Sequence, residues 1–386
     1  MTARRRVVVV GGGIAGVAAA WALAEEHDVV VLEAEVELGT HATGRSAATL
    51  SETSGHRVVC ALVRASRAFL EAPPPAFAAH PLTAPRGLLW IGRDEDDATA
   101  LDEMAASAAS GIAPTAERIG TEQALALLPA LRPVAVAAGG LWEPDARALD
   151  VAGLLDAFAR GARSRGAELR RRAEVRAMTW SGQWTVTTTA GVVQADVVVD
   201  AAGAWGDVVA ARAGVAPLGL RPLRRTACLV PVDDVSAWPL VMDAGGRCYF
   251  EPEAGGLLVS PADEHLSAPV DATPEEVDVA WGLEMLHEAT TLDVGVVRRA
   301  WAGLRTFAPD RVPVVGWDPD RPAFCWLVGH GGAGIKTAPA MSAAVAAIIG
   351  ERAWPGELAA LGVTPDVLSP SRPRSGGSSY AGRPST

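Results

Sequence analysis

One residue type is almost missing from this 386-residue chain. Of its 34 basic residues a single one is lysine, Lys336. That lone ammonium is either a remnant of an arginine-biased composition or a group needed at a shaped site, since lysine and arginine are not interchangeable there. Cysteine is scarce too. Cys60, Cys228, Cys248 and Cys325 are scattered without metal-ligand spacing, which argues against a metal cluster and suits a reducing cytoplasm, with each thiol read as packing. No apolar stretch approaches the ~18 residues of a membrane span. The Arg4-Arg5-Arg6 start leads only into a short apolar run that breaks at glycines, as a first strand does and a signal peptide does not. There is no internal repeat. A net charge of −11 argues against nucleic acid or an anionic membrane as partner.

What is present is concentrated at the start. A valine run, Val7 to Val10, meets Gly11, Gly13 and Gly16 in a G-x-G-x-x-G frame. A helix pattern follows from Ile14 to about Ala24, then a second apolar run, Val29 to Leu32, ending on Glu33. Strand, glycine turn, helix, strand and terminal acid in that order predict a βαβ unit that binds a dinucleotide. Gly11 allows the tight turn, Gly13 lets the backbone approach the pyrophosphate, and Gly16 lets helix and strand pack closely. The pyrophosphate belongs at the helix N-terminus, where Ile14 and Ala15 lie, and Glu33 belongs on the ribose.

The length exceeds one small core. Helical periodicity is expected over Val58 to Leu70, Glu95 to Ser110, Thr121 to Leu128, Val151 to Arg165, Pro274 to Ala289 and Ile335 to Ile349. Strands are expected at Leu88 to Ile91, Val175 to Trp180, Trp184 to Thr189, Val192 to Ala195, Val197 to Asp200, Ala227 to Val232, Tyr249 to Glu251, Gly256 to Ser260 and Phe324 to Val328. The fold class is therefore α/β with an α+β insertion: residues 1–75, 145–215 and 310–368 form a discontinuous nucleotide-binding domain, and residues 76–144 and 216–309 a substrate domain. The Ser/Pro/Gly/Arg-rich stretch 369–386 reads as a disordered tail.

The stretches VVGGGIAG, HATGRSAA, VVVDAAGAW, PLGLRPLRR, EATTL, WAGLRTFAPDRVPVVG and GHGGAGIKTAPAM resemble the D-amino-acid oxidase, sarcosine oxidase and glycine oxidase superfamily of FAD-dependent amine oxidoreductases. The resemblance runs from about Val7 to Ser371 and is nearest to its bacterial D-arginine dehydrogenase subgroup. It implies a Rossmann-like FAD domain of the glutathione-reductase type and a substrate domain built on a mixed or antiparallel sheet. It implies that Gly11, Gly13, Gly16 and Glu33 hold the ADP half of FAD, with Val175 at the adenine and Gly203 as a second contact. Gly44, Arg45, Ser46 and Ala47 would follow the pyrophosphate and the flavin edge. Gly331, Gly332, Ala333, Gly334 and Ile335 would wrap the pyrimidine ring; His330 before them is either at the flavin edge or a backbone spacer, and His41 is mainly structural.

The same resemblance implies that Arg305 and Arg225 clamp a substrate carboxylate, assisted by Tyr249. Lys336 matches a lysine that binds the carboxylate in sarcosine oxidases. The departures matter as well. The acid that holds a guanidinium in the D-arginine dehydrogenases falls at Leu88, and that subgroup's site histidine and tyrosine fall near Thr49 and Ser54. Without the acid, preference for a cationic side chain loses its cause. Leu88, with Trp90 beside it, then suggests an apolar side-chain pocket, although Arg225, Arg305 and Lys336 together could instead serve a dicarboxylic substrate. The expected activity is oxidation of a D-amino acid, or of a secondary or cyclic amine, or else a non-catalytic flavin subunit. The expected cofactor is FAD held non-covalently, with oxygen or another electron acceptor as partner, in the cytoplasm.

Overall fold

The computed structural model describes residues 4–374. The first sheet has six strands, in the order Val314–Trp317, Phe324–Val328, Val197–Asp200, Arg6–Val10, Asp28–Leu32 and Glu168–Arg170. All neighbours are parallel except the edge strand Val314–Trp317. The valine run explains its central place. Val7 and Val9 enter one core, Val8 and Val10 the other, and all four are buried, as a strand covered on both faces requires. On the Val7 side lie the helices Ile14–Leu23 and Gly334–Ile349. On the Val8 side lie the helix Gly206–Arg212 and a three-stranded antiparallel sheet, Val175–Trp180, Trp184–Thr188 and Gly191–Ala195.

The second sheet has nine strands, all within residues 88–91, 117–143 and 221–307. It is antiparallel except where Leu88–Ile91 runs parallel to Leu240–Asp243. Its two longest strands, Arg221–Val230 and Arg299–Phe307, pair along their length, with Arg225 opposite Gly303 and Leu223 opposite Arg305. A small sheet of Thr49–Leu50, Arg147–Leu149 and Thr83–Pro85 joins segments that sequence assigns to both domains.

Three expectations change here. The strand Arg299–Phe307 was not expected, and the strand expected at Ala227 begins at Arg221. Ser369 to Arg374, expected in the tail, belong to the described structure: Arg372 pairs with Asp310 at 2.7 Å and donates to Val312 O at 2.6 Å. The rest of that stretch, residues 375–386, lies outside the described residues.

Candidate active site

One elongated cavity of about 440 Å³ runs between the two large sheets. At one end the strand Arg6–Val10 turns at Gly11 into the helix Ile14–Leu23. Gly11, Gly13, Ile14, Ala15 and Glu33 line it there. The helix starts at Gly13 with no side-chain cap, so its positive end faces the cavity. Ile14 N–H donates to Thr43 Oγ1 at 3.1 Å. Glu33 accepts from Gly12 N–H at 2.6 Å and from Glu35 N–H at 2.8 Å, which leaves lone pairs on both carboxylate oxygens. Gly16 does not line the cavity; it packs on Gly11, where a Cβ would stand 2.0 Å from the Gly11 carbonyl oxygen. Val175 and Gly203 line this part as well. The Val175 carbonyl accepts from Arg212.

In the middle, Arg45, Ser46 and Ala47 reach the cavity. Gly44 supports the turn behind them, donating to Gly39 O at 2.7 Å. The Arg45 guanidinium is held by protein partners: it pairs with Asp271 and donates to Ala272 O at 2.7 Å and Ala302 O at 2.8 Å. His41 also lines the cavity, its ring 4.6 Å from that of Trp205.

At the far end the glycine loop closes the wall. Gly331, Gly332, Gly334 and Ile335 line it. Ala333 is buried and precedes a second helix that opens without a side-chain cap. A Cβ on Gly331 would strike the Phe307 ring at 2.3 Å, and one on Gly332 would strike Arg305 at 2.6 Å. His330 lines the same wall, and its Nε2 has no hydrogen-bond partner among the described residues.

Burial pushes the His330 pKa down to about 4, from an ordinary 6.5. The unfolded chain therefore takes up the proton first, so stability is lost as pH falls through the ordinary histidine range. Thermal unfolding of the holoenzyme between about pH 8 and about pH 5 should show that loss. His330→Asn should reduce it, and an unchanged pH slope in the variant would contradict the assignment.

Across from the loop, the second sheet presents Arg225 and Ala227 from one strand and Trp301, Gly303 and Arg305 from its partner. These are alternate positions, and so share one face. Tyr249 and Leu258 complete this end. Arg305 Nη2 donates to the Tyr249 hydroxyl at 3.3 Å, and the guanidinium carbons of Arg225 and Arg305 lie 5.9 and 5.8 Å from that ring's centre. Burial and the neighbouring Arg305 bring the Arg225 pKa down to about 10, which leaves it charged at neutral pH. The acids among the lining residues, Glu33, Glu35 and Glu174, flank the nucleotide-end residues Ala34 and Val175, and none lies on the sheet strands at the clamp end.

Besides Gly16, Gly44 and Ala333, which stand behind the wall, four expected substrate-end residues are not in it. Lys336 is buried in the second helix and turns its Nζ to Ser51 O at 3.1 Å and Ser54 Oγ at 2.6 Å. Ser54 is thereby its partner and not part of the cavity lining. The Thr49 hydroxyl donates to the buried Glu251 at 3.0 Å. Leu88 is fully buried behind the wall, in one core with Ala227, Tyr249, Leu258 and Trp90, whose indole N–H donates to Thr53 Oγ1 at 2.9 Å. Sequence reading in turn missed Thr43, Trp205, Arg212, Ala227, Leu258 and Trp301. Ala227 and Trp301 had a usable signal, two residues and four residues along a strand from Arg225 and Arg305.

A helix N-terminus at each end, the acid Glu33 beside the first, a histidine whose Nε2 is unpartnered among the described residues and an extended cavity between fit a flavin dinucleotide. The fold and the site thus define a flavin-dependent oxidoreductase. The model of the FAD-dependent oxidoreductase family, DAO, matches residues 6–348. Glycine oxidase of Geobacillus kaustophilus is 27% identical over 94% of this chain and 98% of its own. A D-amino acid dehydrogenase of Paramagnetospirillum magneticum is 31% identical over 50% of this chain and 46% of its own. The fold is similar to that of L-proline dehydrogenase from P. horikoshii, with TM-score 0.82, 21% identity and coverage of 96% and 98% of the two chains. The chain belongs to the FAD-dependent oxidoreductase family, and FAD is its cofactor.

Proposed function

We propose that the protein oxidises a D-amino acid with an uncharged, apolar side chain. The observation that carries this reading is the far end of the cavity, where Arg225, Arg305 and Tyr249 converge and no carboxylate lines the wall, the Glu264 paired with Arg225 lying outside it. Two guanidiniums and a hydroxyl suit one carboxylate, because arginine recognises that planar anion with paired donors. Bound FAD supplies the acceptor for a hydride from the substrate's Cα. The chain's own part is to orient: the clamp fixes the carboxylate, and Ala227, Leu258 and Trp301 offer an apolar wall to the rest of the molecule. The imino acid so formed hydrolyses in water to a keto acid and ammonia. The names of the glycine oxidase and D-amino acid dehydrogenase relatives support an amino acid, and the second name alone supports this stereochemistry.

The apolar preference rests on Ala227, Leu258 and Trp301, and no longer on Leu88 and Trp90. Lys336, fixed on Ser51 and Ser54, adds no third cation for a dicarboxylate. None of the four cysteines lines the cavity, which supports non-covalent FAD. All four are unpaired and buried, with thiols pushed up to about 11 or 12 by burial. That suits a reducing cytoplasm. Among the described residues no helix is long and apolar enough to cross a membrane. Electrons would leave to oxygen or another acceptor.

An anaerobic screen following the flavin absorbance tests the reading. D-leucine, D-methionine or D-phenylalanine should bleach the holoenzyme faster than D-arginine. Bleaching only by sarcosine or proline would replace the amino group by a secondary amine. No bleaching by any amine would leave a flavin-binding subunit without this chemistry.

A further inference from the structure

Arg225 is held from behind by a segment that follows the strand Gly256–Ser260. Its Nε donates to the Asp263 carbonyl at 2.7 Å, and its Nη2 to Glu264 Oε1 at 3.3 Å. Glu264 does not line the cavity. The same carboxylate takes a paired donation from Arg311, at 2.9 and 2.8 Å. Arg311 in turn lies over the Phe307 ring, 3.9 Å from its centre. Phe307 is the ring against which Gly331 of the cofactor loop packs. One carboxylate thus ties the cavity arginine to the group that backs the cofactor loop. Burial pushes the Glu264 carboxyl up, but Arg311, Arg225 and Arg305 outweigh it and hold it below its ordinary value, so it stays ionised at neutral pH.

The alternatives for Arg225 are poor. It is buried beside a second cation, Arg305, and like charges in a low-dielectric wall drive each other apart. The backbone segment is anchored independently: Asp263 accepts from Thr226 N–H at 2.6 Å and from its hydroxyl at 3.1 Å. Glu264 therefore sits on a fixed base, with its position set by two bonds from Arg311.

We propose that Glu264 is the positioning residue that aims Arg225 at the substrate carboxylate. The proposal rests on the carboxylate-clamp reading above. Glu264 touches neither substrate nor cofactor; it acts by fixing the direction of a guanidinium that would otherwise swing away from Arg305.

The test uses holoenzyme and two probes read in the flavin spectrum. Benzoate reports the carboxylate clamp, and sulfite reports the flavin itself. Glu264→Gln keeps the shape and removes the charge. It should weaken benzoate about tenfold, the loss of one charge-assisted bond at a site that stays formed, and leave sulfite affinity within about twofold. Glu264→Asp should recover part of the loss. Arg225→Met should weaken benzoate at least as far as Glu264→Gln. Unchanged benzoate affinity in Glu264→Gln, with a clear loss in Arg225→Met, would overturn the role of Glu264 and leave the clamp standing. No benzoate response in the wild type, or none lost in Arg225→Met, would overturn the clamp and the proposal with it. A change in sulfite affinity as large as that in benzoate would also overturn it, since Glu264 would then act on the flavin.

Discussion

Arg305→Met should lower kcat/KM for the amino acid substrate by about two to three orders of magnitude. The reason lies in how little else Arg305 has to bind. Among the described residues it has no carboxylate within ion-pair distance, and its hydrogen-bond partner is the neutral Tyr249 hydroxyl at 3.3 Å. A cation set in a cavity wall without an anion is costly unless a ligand completes it. Arg225 is different, because Asp263 and Glu264 already engage it; its loss should cost less. Arg305 also crosses the face of Gly332, where a Cβ would stand 2.6 Å from its side chain, so its path is fixed by the cofactor loop. Lysine at this position would not restore the rate, since a point charge cannot reproduce the paired donors of a guanidinium. Steady-state kinetics at matched FAD content check this. A variant with unchanged kcat/KM would move the carboxylate site elsewhere.

The nucleotide end was legible because its signals are local. Val7 to Glu33 contains a strand, a turn, a helix and a strand within one continuous stretch, and each periodicity reports its own burial. The glycine loop at Gly331 was legible for the same reason. The substrate end was less so, for a physical cause. Arg221–Val230 and Arg299–Phe307 carry Arg225 and Arg305 on the cavity face, so polar residues occupy positions that would otherwise complete an apolar alternation. Gly303 breaks the second pattern again, where Arg45 passes at 3.5 Å from its potential Cβ.

Lys336 illustrates a different limit. Its place on the second helix was readable, but the direction of its side chain was set by Ser51 and Ser54, 285 and 282 residues away. Those residues belong to a segment with its own anchor: Glu143 accepts from Ser51 Oγ, Glu52 N–H and the Thr53 hydroxyl at 3.0, 2.7 and 2.5 Å. Leu88 pairs with that same Glu143 across the sheet. A residue matched to a site by position alone can thus belong to the scaffold behind it, as Leu88, Thr49, Ser54 and Lys336 do here.

Gly16→Val should yield a colourless protein with a large loss of stability. Of the glycines in the opening motif, Gly16 has the least room: an added Cβ would stand 2.0 Å from Gly11 O and 3.1 Å from Gly11 C, both backbone atoms. Gly11 cannot retreat, because it holds φ +109° and a Cβ there would already be 2.6 Å from Ala201 O. The helix must therefore move off the strand, which opens the Val7 and Val9 core and lifts the helix N-terminus from the cavity. Overpacking of this kind costs about 3 kcal/mol or more when backbone has to shift. Lost cofactor binding then removes its own contribution to stability. Gly166→Ala is the matching control. Gly166 also has positive φ, +91°, but its Cβ would meet nothing within 4 Å, so it should cost about 1 kcal/mol and keep FAD. Flavin absorbance after purification and thermal unfolding with and without added FAD separate the two. A yellow Gly16→Val protein with unchanged Tm would mean that the strand and helix do not need their present contact to hold the dinucleotide.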